Sequence, residues 1–128
     1  KIISNIEKIL KKKEVGLIIV DSLTFHYRHE ISKKEINIYD LNANLGTQIA
    51  KLKKLAEKYE IPIITTNQVY TDLKEQRIKM VGESLLDYGF KTIIELAQDD
   101  YGNNKLITHK PIKKEKKFEI TNKGIISL

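Results

Sequence analysis

A continuous apolar run closed by a carboxylate, Leu17-Ile18-Ile19-Val20-Asp21, constrains the fold of this chain more than any other segment. Continuity, in place of alternation, is what a strand covered on both faces shows, as in parallel sheets. Such a strand finds its parallel neighbour only through a long crossover. The sequence supplies one. From Asp40 to Tyr59 the apolar positions Leu41, Leu45, Ile49, Leu52, Leu55, Ala56 and Tyr59 recur at intervals of three and four, with Asp40 at the start and Lys51, Lys53, Lys54 and Lys58 late. Ile61-Pro62-Ile63-Ile64-Thr65-Thr66-Asn67 then reads as a second buried strand, its proline tolerable at the start. Strand, helix and strand in this order predict a right-handed crossover with two parallel strands.

The remaining segments fit around that unit. Ile2, Ile3, Ile6, Ile9 and Leu10 have helical spacing and precede Lys11-Lys12-Lys13, which predicts a short amphipathic helix over 2–14. Residues 22–36 lack a period and read as a loop or frayed helix, and 70–84 as a second long loop. Leu85 and Leu86 can begin a short helix. The end of the chain is a series of short strands, Lys91–Leu96, Lys105–Thr108, Lys117–Thr121 and Ile125–Ser127, separated by turn signals that favour antiparallel pairing. The expected class is α/β, with 128 residues forming one folding unit.

Composition narrows the partners. With 41% hydrophobic and 31% charged residues the chain groups with soluble globular proteins, and no apolar run approaches the roughly 20 residues of a membrane span. The absence of cysteine excludes disulfides, thiolate nucleophiles and cysteine zinc sites, and points to a cytoplasmic setting. A formal charge of +6 favours an anionic partner, nucleic acid first. The first residue is Lys1, which suggests a piece of a longer chain.

In open α/β sheets ligands bind beyond the carboxyl ends of parallel strands. Asp21 and Gln68 sit there. An apolar strand ending in aspartate suits a Walker B element, whose carboxylate reaches a hydrated magnesium ion beside nucleotide phosphates. Lys33, Lys34, Lys74, Arg77, Lys79 and Lys91, with Tyr27 and Tyr70, offer phosphate contacts and stacking surfaces. Lys11–Lys13 and the lysines at 113, 114, 116 and 117 read as solvated surface. His26, His29 and Glu30 match no metalloprotease order, and neither Ser22 nor Ser84 lies on a nucleophile elbow.

Val15-Gly16-Leu17-Ile18-Ile19-Val20-Asp21-Ser22, Tyr27-Arg28, the helix through Leu52 to Tyr59, Ile61 to Val69, and Val81-Gly82 before Leu85 together resemble the core of the RecA/RadA recombinases. Thr66-Asn67-Gln68-Val69-Tyr70 is similar to the archaeal RadB-type branch. The resemblance implies part of a RecA-type P-loop NTPase core over residues 1–128, acting in DNA repair and homologous recombination with ATP, magnesium, DNA and a RadA-type recombinase. It implies that Asp21 supports magnesium through water and that Ser22 and Gln68 face nucleotide, Gln68 linking the terminal phosphate to a DNA-binding loop. Pro111 would cap nucleotide across a subunit interface. Arg28, Lys33 and Lys34 would lie in the first DNA-facing loop, and Tyr70, Lys74, Arg77 and Lys79 in the second.

The 128 residues also depart from the pattern. They contain no G-x-x-x-x-G-K-[ST], and Glu83 stands where the family has a second glycine. The resemblance places the activating glutamate upstream too, so this length of chain is expected not to hydrolyse ATP. Loss of the P-loop strand would expose an edge of the sheet, inviting self-association or a partner. Two alternatives remain: a noncatalytic DNA-binding or recombinase-assembly module, and another RecA-fold ATPase such as a helicase. If the loops bind DNA, affinity falls steeply with salt, and replacing Lys33, Lys34 and Arg77 together by alanine flattens the slope of log affinity against log salt by roughly two to three counterions. Fluorescence anisotropy over a salt series measures this, and an unchanged slope rejects the loop assignment.

Overall fold

The computed structural model describes residues 2–31 and 37–128, with side chains from residue 5 onward. Lys33 and Lys34 lie outside the described residues. The chain forms two compact units, Lys1–Gly89 and Phe90–Leu128.

In the first unit α1 (Ile2–Leu10) leads to β1 (Ile18–Val20), α2 (Phe25–Ile31), α3 (Ile38–Tyr59) and β2 (Ile63–Thr65). Strands β1 and β2 pair in parallel, Ile18 with Ile63, Ile19 with Ile64 and Val20 with Thr65. The predicted crossover is therefore present, and α3 supplies its length. Helix α3 begins where the Asn37 side chain accepts a hydrogen bond from the Tyr39 N–H at 3.0 Å. It ends where Glu60 turns left-handed at φ 51° and returns its N–H to Ala56. Its buried residues Leu45, Ile49, Leu52 and Leu55 form the ridge around which Leu23, Val81 and Leu86 complete the core. A 2.6 Å ion pair from Lys58 to Glu7 ties α1 to α3.

Three expectations need correction. The apolar run of β1 is not covered on both faces: among the described residues Ile18, Val20 and Ile63 are half-buried, whereas Ile19 and its register partner Ile64 are 64% and 52% exposed. One face of the pair packs inward and the other is an apolar surface. Residues 25–31 form a true helix, α2, because Thr24 and Leu23 are buried at its start and the Tyr27 hydroxyl donates to Asn42 on α3 at 2.7 Å.

The second long loop is in fact a hairpin. β3 (Val69–Asp72) pairs antiparallel with β4 (Arg77–Met80), followed by α4 (Glu83–Gly89). Asp72 closes the turn by accepting the N–H groups of Lys74 and Glu75, and Gln76 takes φ 49°. The charges at Lys74, Glu75, Arg77 and Lys79 hide a period of two that Val69, Thr71, Ile78 and Met80 carry on one face.

The second unit is one antiparallel sheet in the order β5 (Ile93–Gln98), β6 (Asn104–Lys110), β7 (Lys114–Thr121), β8 (Gly124–Ser127). The expected short strands are all there, each longer than or close to its predicted span. Asp99 organises the first turn, accepting from the N–H groups of Tyr101 and Asn103 and from the Asn103 side chain.

Two glycines allow α4 and its approach to lie close to α3. A Cβ on Gly82, at φ 71°, would stand 2.9 Å from Leu45 Cδ2, and one on Gly89 would stand 2.4 Å from Ile49 Cγ2. Gly82→Ala and Gly89→Ala should each destabilise the unit by about 1–3 kcal/mol through overpacking. Leu45→Ala should cost about 2–5 kcal/mol through the cavity it leaves. All three are read as lower urea midpoints with an unchanged m value.

Candidate functional site

The parallel ladder continues past the ends of β1 and β2. The Thr66 N–H donates to the Val20 carbonyl, and the Leu23 N–H donates to the Thr66 carbonyl, each at 3.1 Å. These bonds carry both chains outward side by side, so that Asp21 and Ser22 leave β1 next to Thr66, Asn67 and Gln68 leaving β2. The six residues Asp21, Ser22, Phe25, Thr66, Asn67 and Gln68 line an open depression of about 580 Å³. The peptide bond between Asp21 and Ser22 is cis.

Each polar side chain of the β2 exit is held by a different segment. Thr66 Oγ1 donates to Asp21 Oδ1 at 2.5 Å. Asn67 accepts from the wholly buried Thr24 hydroxyl and donates through Nδ2 to the Val81 carbonyl at 3.1 Å. Gln68 Oε1 accepts from Arg28 Nη1 at 2.7 Å, while its backbone carbonyl accepts from the Val81 N–H at 3.0 Å. Asp21 therefore has one carboxylate oxygen tied by a hydroxyl and its other oxygen available to a water of a hydrated cation. Exposed Asp21 and Thr66, with half-buried Ser22 and Gln68, form a polar rim suited to phosphate and magnesium-bound water. Among the described residues no lysine lines the depression.

Asp21, Ser22 and Gln68 are thus brought together, and Arg28 joins them through Gln68. Pro111 belongs to the second unit, in the turn between β6 and β7, where the Lys110–Pro111 peptide is cis. Thr24 carries no signal in the sequence, and Thr66 and Asn67 enter there only as members of the runs Ile61 to Asn67 and Thr66 to Tyr70, with no role of their own. The unbroken polar run Thr65-Thr66-Asn67-Gln68 at a strand exit was the available signal, but nothing in it names Thr24 as the partner.

The hairpin treats its cations differently. Arg77 Nε donates to Glu75 at 2.8 Å, and Nη1 and Nη2 donate to the two carboxylate oxygens of Glu83 at 3.0 and 3.3 Å. Lys79 pairs with Asp72 at 2.8 Å and Glu75 at 2.6 Å, and its side chain is only 14% exposed. Hydrogen bonds to Glu83, then Glu75, raise the Arg77 pKa, and those to Asp72, then Glu75, raise that of Lys79. The Lys79 hydrogen bond is likewise the first cause that lowers both the Asp72 and Glu75 carboxyls. Lys74 is exposed on the turn, and Tyr70 stands opposite Lys79 in register, 44% exposed. Burial raises the Tyr27 hydroxyl pKa, with a smaller contribution from Tyr70.

A parallel strand pair joined by a long helix, with a carboxylate and a carboxamide at adjacent strand ends, defines an α/β core of the class in which ligands bind at the carboxyl edge. The chain belongs to the Rad51 family, whose model matches residues 1–128. It is similar to the DNA repair and recombination protein RadB of Thermococcus sibiricus, 38% identical over 98% of this chain and 54% of that protein. The proteins of the same name from Methanosphaera stadtmanae (35% identical, 97% of this chain and 55% of the relative) and Methanococcoides burtonii (38%, 75% and 42%) are similar as well. The chain spans about half the length of these relatives.

Because the Asp72 and Glu75 carboxyls are lowered in the folded hairpin, their ion pairs stabilise it above the ordinary carboxylate range, about pH 4. That contribution is lost as pH falls through the lowered values. Amide exchange in β3 and β4 should therefore accelerate on acidification below about pH 4, once intrinsic exchange rates are corrected for pH. Glu75→Gln should show faster exchange already at neutral pH, with β5 to β8 unchanged. Equal protection in the wild type and the variant rejects the ion network as the hairpin's support.

Proposed function

We propose that the intact protein is a RadB-like DNA repair and homologous recombination protein with a RecA-type P-loop core, binding ATP with magnesium and acting on DNA beside a RadA-type recombinase in the cytoplasm. The observation that carries this reading is the meeting of Asp21 and Gln68 at adjacent parallel strand ends around a polar depression, in a chain of the Rad51 family. The two compact units are read as parts of one core domain over residues 1–128. Asp21 holds magnesium through water, its carboxylate oriented by Thr66, and Ser22 and Gln68 face the phosphates. Pro111 caps nucleotide from a neighbouring subunit. The groups that grip the phosphates themselves lie outside these residues, so this length of chain does not hydrolyse ATP.

DNA runs past Arg28, Lys33, Lys34, Tyr70 and Lys74. Arg77 and Lys79 enter as secondary contacts, because each is already paired with carboxylates. The open strand edges of the β1–β2 pair, with Ile19 and Ile64 exposed, favour association with a partner or a second copy. Among the described residues no helix is long and apolar enough to cross a membrane. A second reading is a noncatalytic DNA-binding or assembly module, for which the net charge of +6 and Glu83 at the position of the family's second glycine speak.

Asp21→Asn in the full-length protein decides between them. It keeps the shape and removes the charge, so magnesium-dependent affinity for a nucleotide analogue should fall about 10–100-fold, the usual cost of losing a group that orients metal-bound water. Binding without magnesium should be unaffected. Calorimetric titration with and without the metal measures both, and an identical magnesium response in wild type and variant leaves the module reading in place.

A further inference from the structure

The strands of the second unit carry their charge unevenly. β5 has Glu95, β6 has Lys105 and Lys110, and β7 has Lys114, Lys116 and Lys117 with Glu115 and Glu119. β8, Gly124-Ile125-Ile126-Ser127, has no charged residue, although it stands at the edge of the sheet. Edge strands are ordinarily guarded by a charge, a proline or a break in register, because their unpaired backbone groups are a template for another strand. The opposite edge has two such guards, Glu95 and a register shift at Ile93/Ile94. β8 has none of them along its length, and Ile125 and Leu128 are 73% and 71% exposed.

The pairing of β8 with β7 fixes which of its backbone groups are left over. Ile126 stands opposite Glu119 and Ile125 opposite Ile120, and the Leu128 N–H donates to the Lys117 carbonyl at 3.0 Å. Hydrogen-bonded and non-hydrogen-bonded residues alternate along an antiparallel ladder. Leu128, Ile126 and Gly124 therefore use their backbone groups on β7, and those of Ile125 and Ser127 point away from the sheet. A strand laid antiparallel on this edge must bring donors and acceptors at the same spacing of two residues. β8 of a second copy does so. With a two-fold axis through Ile126, Ile125 of each copy faces Ser127 of the other as a hydrogen-bonded pair.

The side chains agree with that register. Ile126 meets its own counterpart, and Leu128 meets Gly124, which leaves open space where another residue would carry a side chain. A two-fold axis sets any charge near it against the same charge, so an uncharged strand is what self-pairing requires. We propose that β8 is a self-association surface, where two copies join edge to edge as antiparallel strands about Ile126 and form one continuous sheet. It uses neither the edges of the β1–β2 pair nor the residues of the depression, and it does not rest on nucleotide or DNA binding.

Sedimentation velocity of the full-length protein tests this, and the wild type should contain dimer. Ile126→Lys and Ile126→Glu each set like charges across the axis, so each alone should weaken the dimer by about tenfold or more. Equal parts of the two variants should restore it at low salt, and added salt should weaken the mixed dimer. Restoration also shows that both variants fold. As a second measurement, Ile126→Cys should form an intermolecular disulfide under mild oxidation, because a non-hydrogen-bonded cross-strand pair lies within disulfide reach. Ile125→Cys, displaced along the strand from its own counterpart, should not. The 128 residues contain no cysteine of their own. A monomeric wild type, a dimer indifferent to Ile126→Lys, a mixture that stays monomeric, or equal cross-linking at 125 and 126 overturns the proposal. None of these results bears on the reading of Asp21 and Gln68.

Discussion

The parallel register of β1 against β2 is the constraint on which the rest of the first unit depends. Ile18 opposite Ile63 and Val20 opposite Thr65 make Asp21 leave the sheet beside Thr66. A slip of one residue would turn every side chain of β2 to the other face and separate the carboxylate from its hydroxyl partner. Three residues a side cannot hold that register alone. Helix α3 does so from below: 22 residues, about 33 Å at the usual helical rise, carry four buried side chains that fix where β2 must begin. The capping at Asn37 and the left-handed Glu60 set the two ends of that measure.

Beyond the sheet the same register is converted into a polar junction. Thr66, Asn67 and Gln68 reach respectively to the β1 exit, to Thr24 with Val81, and to Arg28. Asn67 has both ends of its amide in use, and Thr24 is wholly buried, so this junction tolerates no reversal of donor and acceptor. It fastens the start of α2 and the exit of the hairpin to one strand end. Movement in either segment is therefore felt at the depression, without any requirement for the core ridge of α3 to move.

What could be read from the sequence followed the strength of its periodicities. The ridge Leu45, Ile49, Leu52, Leu55 announced α3, the apolar runs announced β1 and β2, and the turn residues around Gly102 and Gly124 announced the antiparallel sheet. That Asp21 and Gln68 come together was legible because each follows one of two adjacent parallel strands. The hairpin was not legible, since its period of two is carried by four modest residues among five charged ones. Nor was the outward face of Ile19 and Ile64, because an apolar run states how much a strand resembles a buried one and not which of its neighbours are present. The Arg28–Gln68 and Thr24–Asn67 contacts span 40 and 43 residues, distances at which local pattern carries no information.

The charge of the chain shows the same limit and its remedy. A net +6 suggests an anionic partner but does not say which cations meet it. Across 69–83 three cations, Lys74, Arg77 and Lys79, face three anions, Asp72, Glu75 and Glu83, and the ion pairs bind most of them to one another. The hairpin is consequently a nearly neutral element whose charges hold its own shape. Arg28 differs: its hydrogen bond is to the amide oxygen of Gln68, a neutral group. Counting lysines and arginines would rank Arg77 and Lys79 with Arg28; the identity of each partner separates them, since Arg28 bonds Gln68, which lines the depression together with Asp21, whereas the other two bond carboxylates.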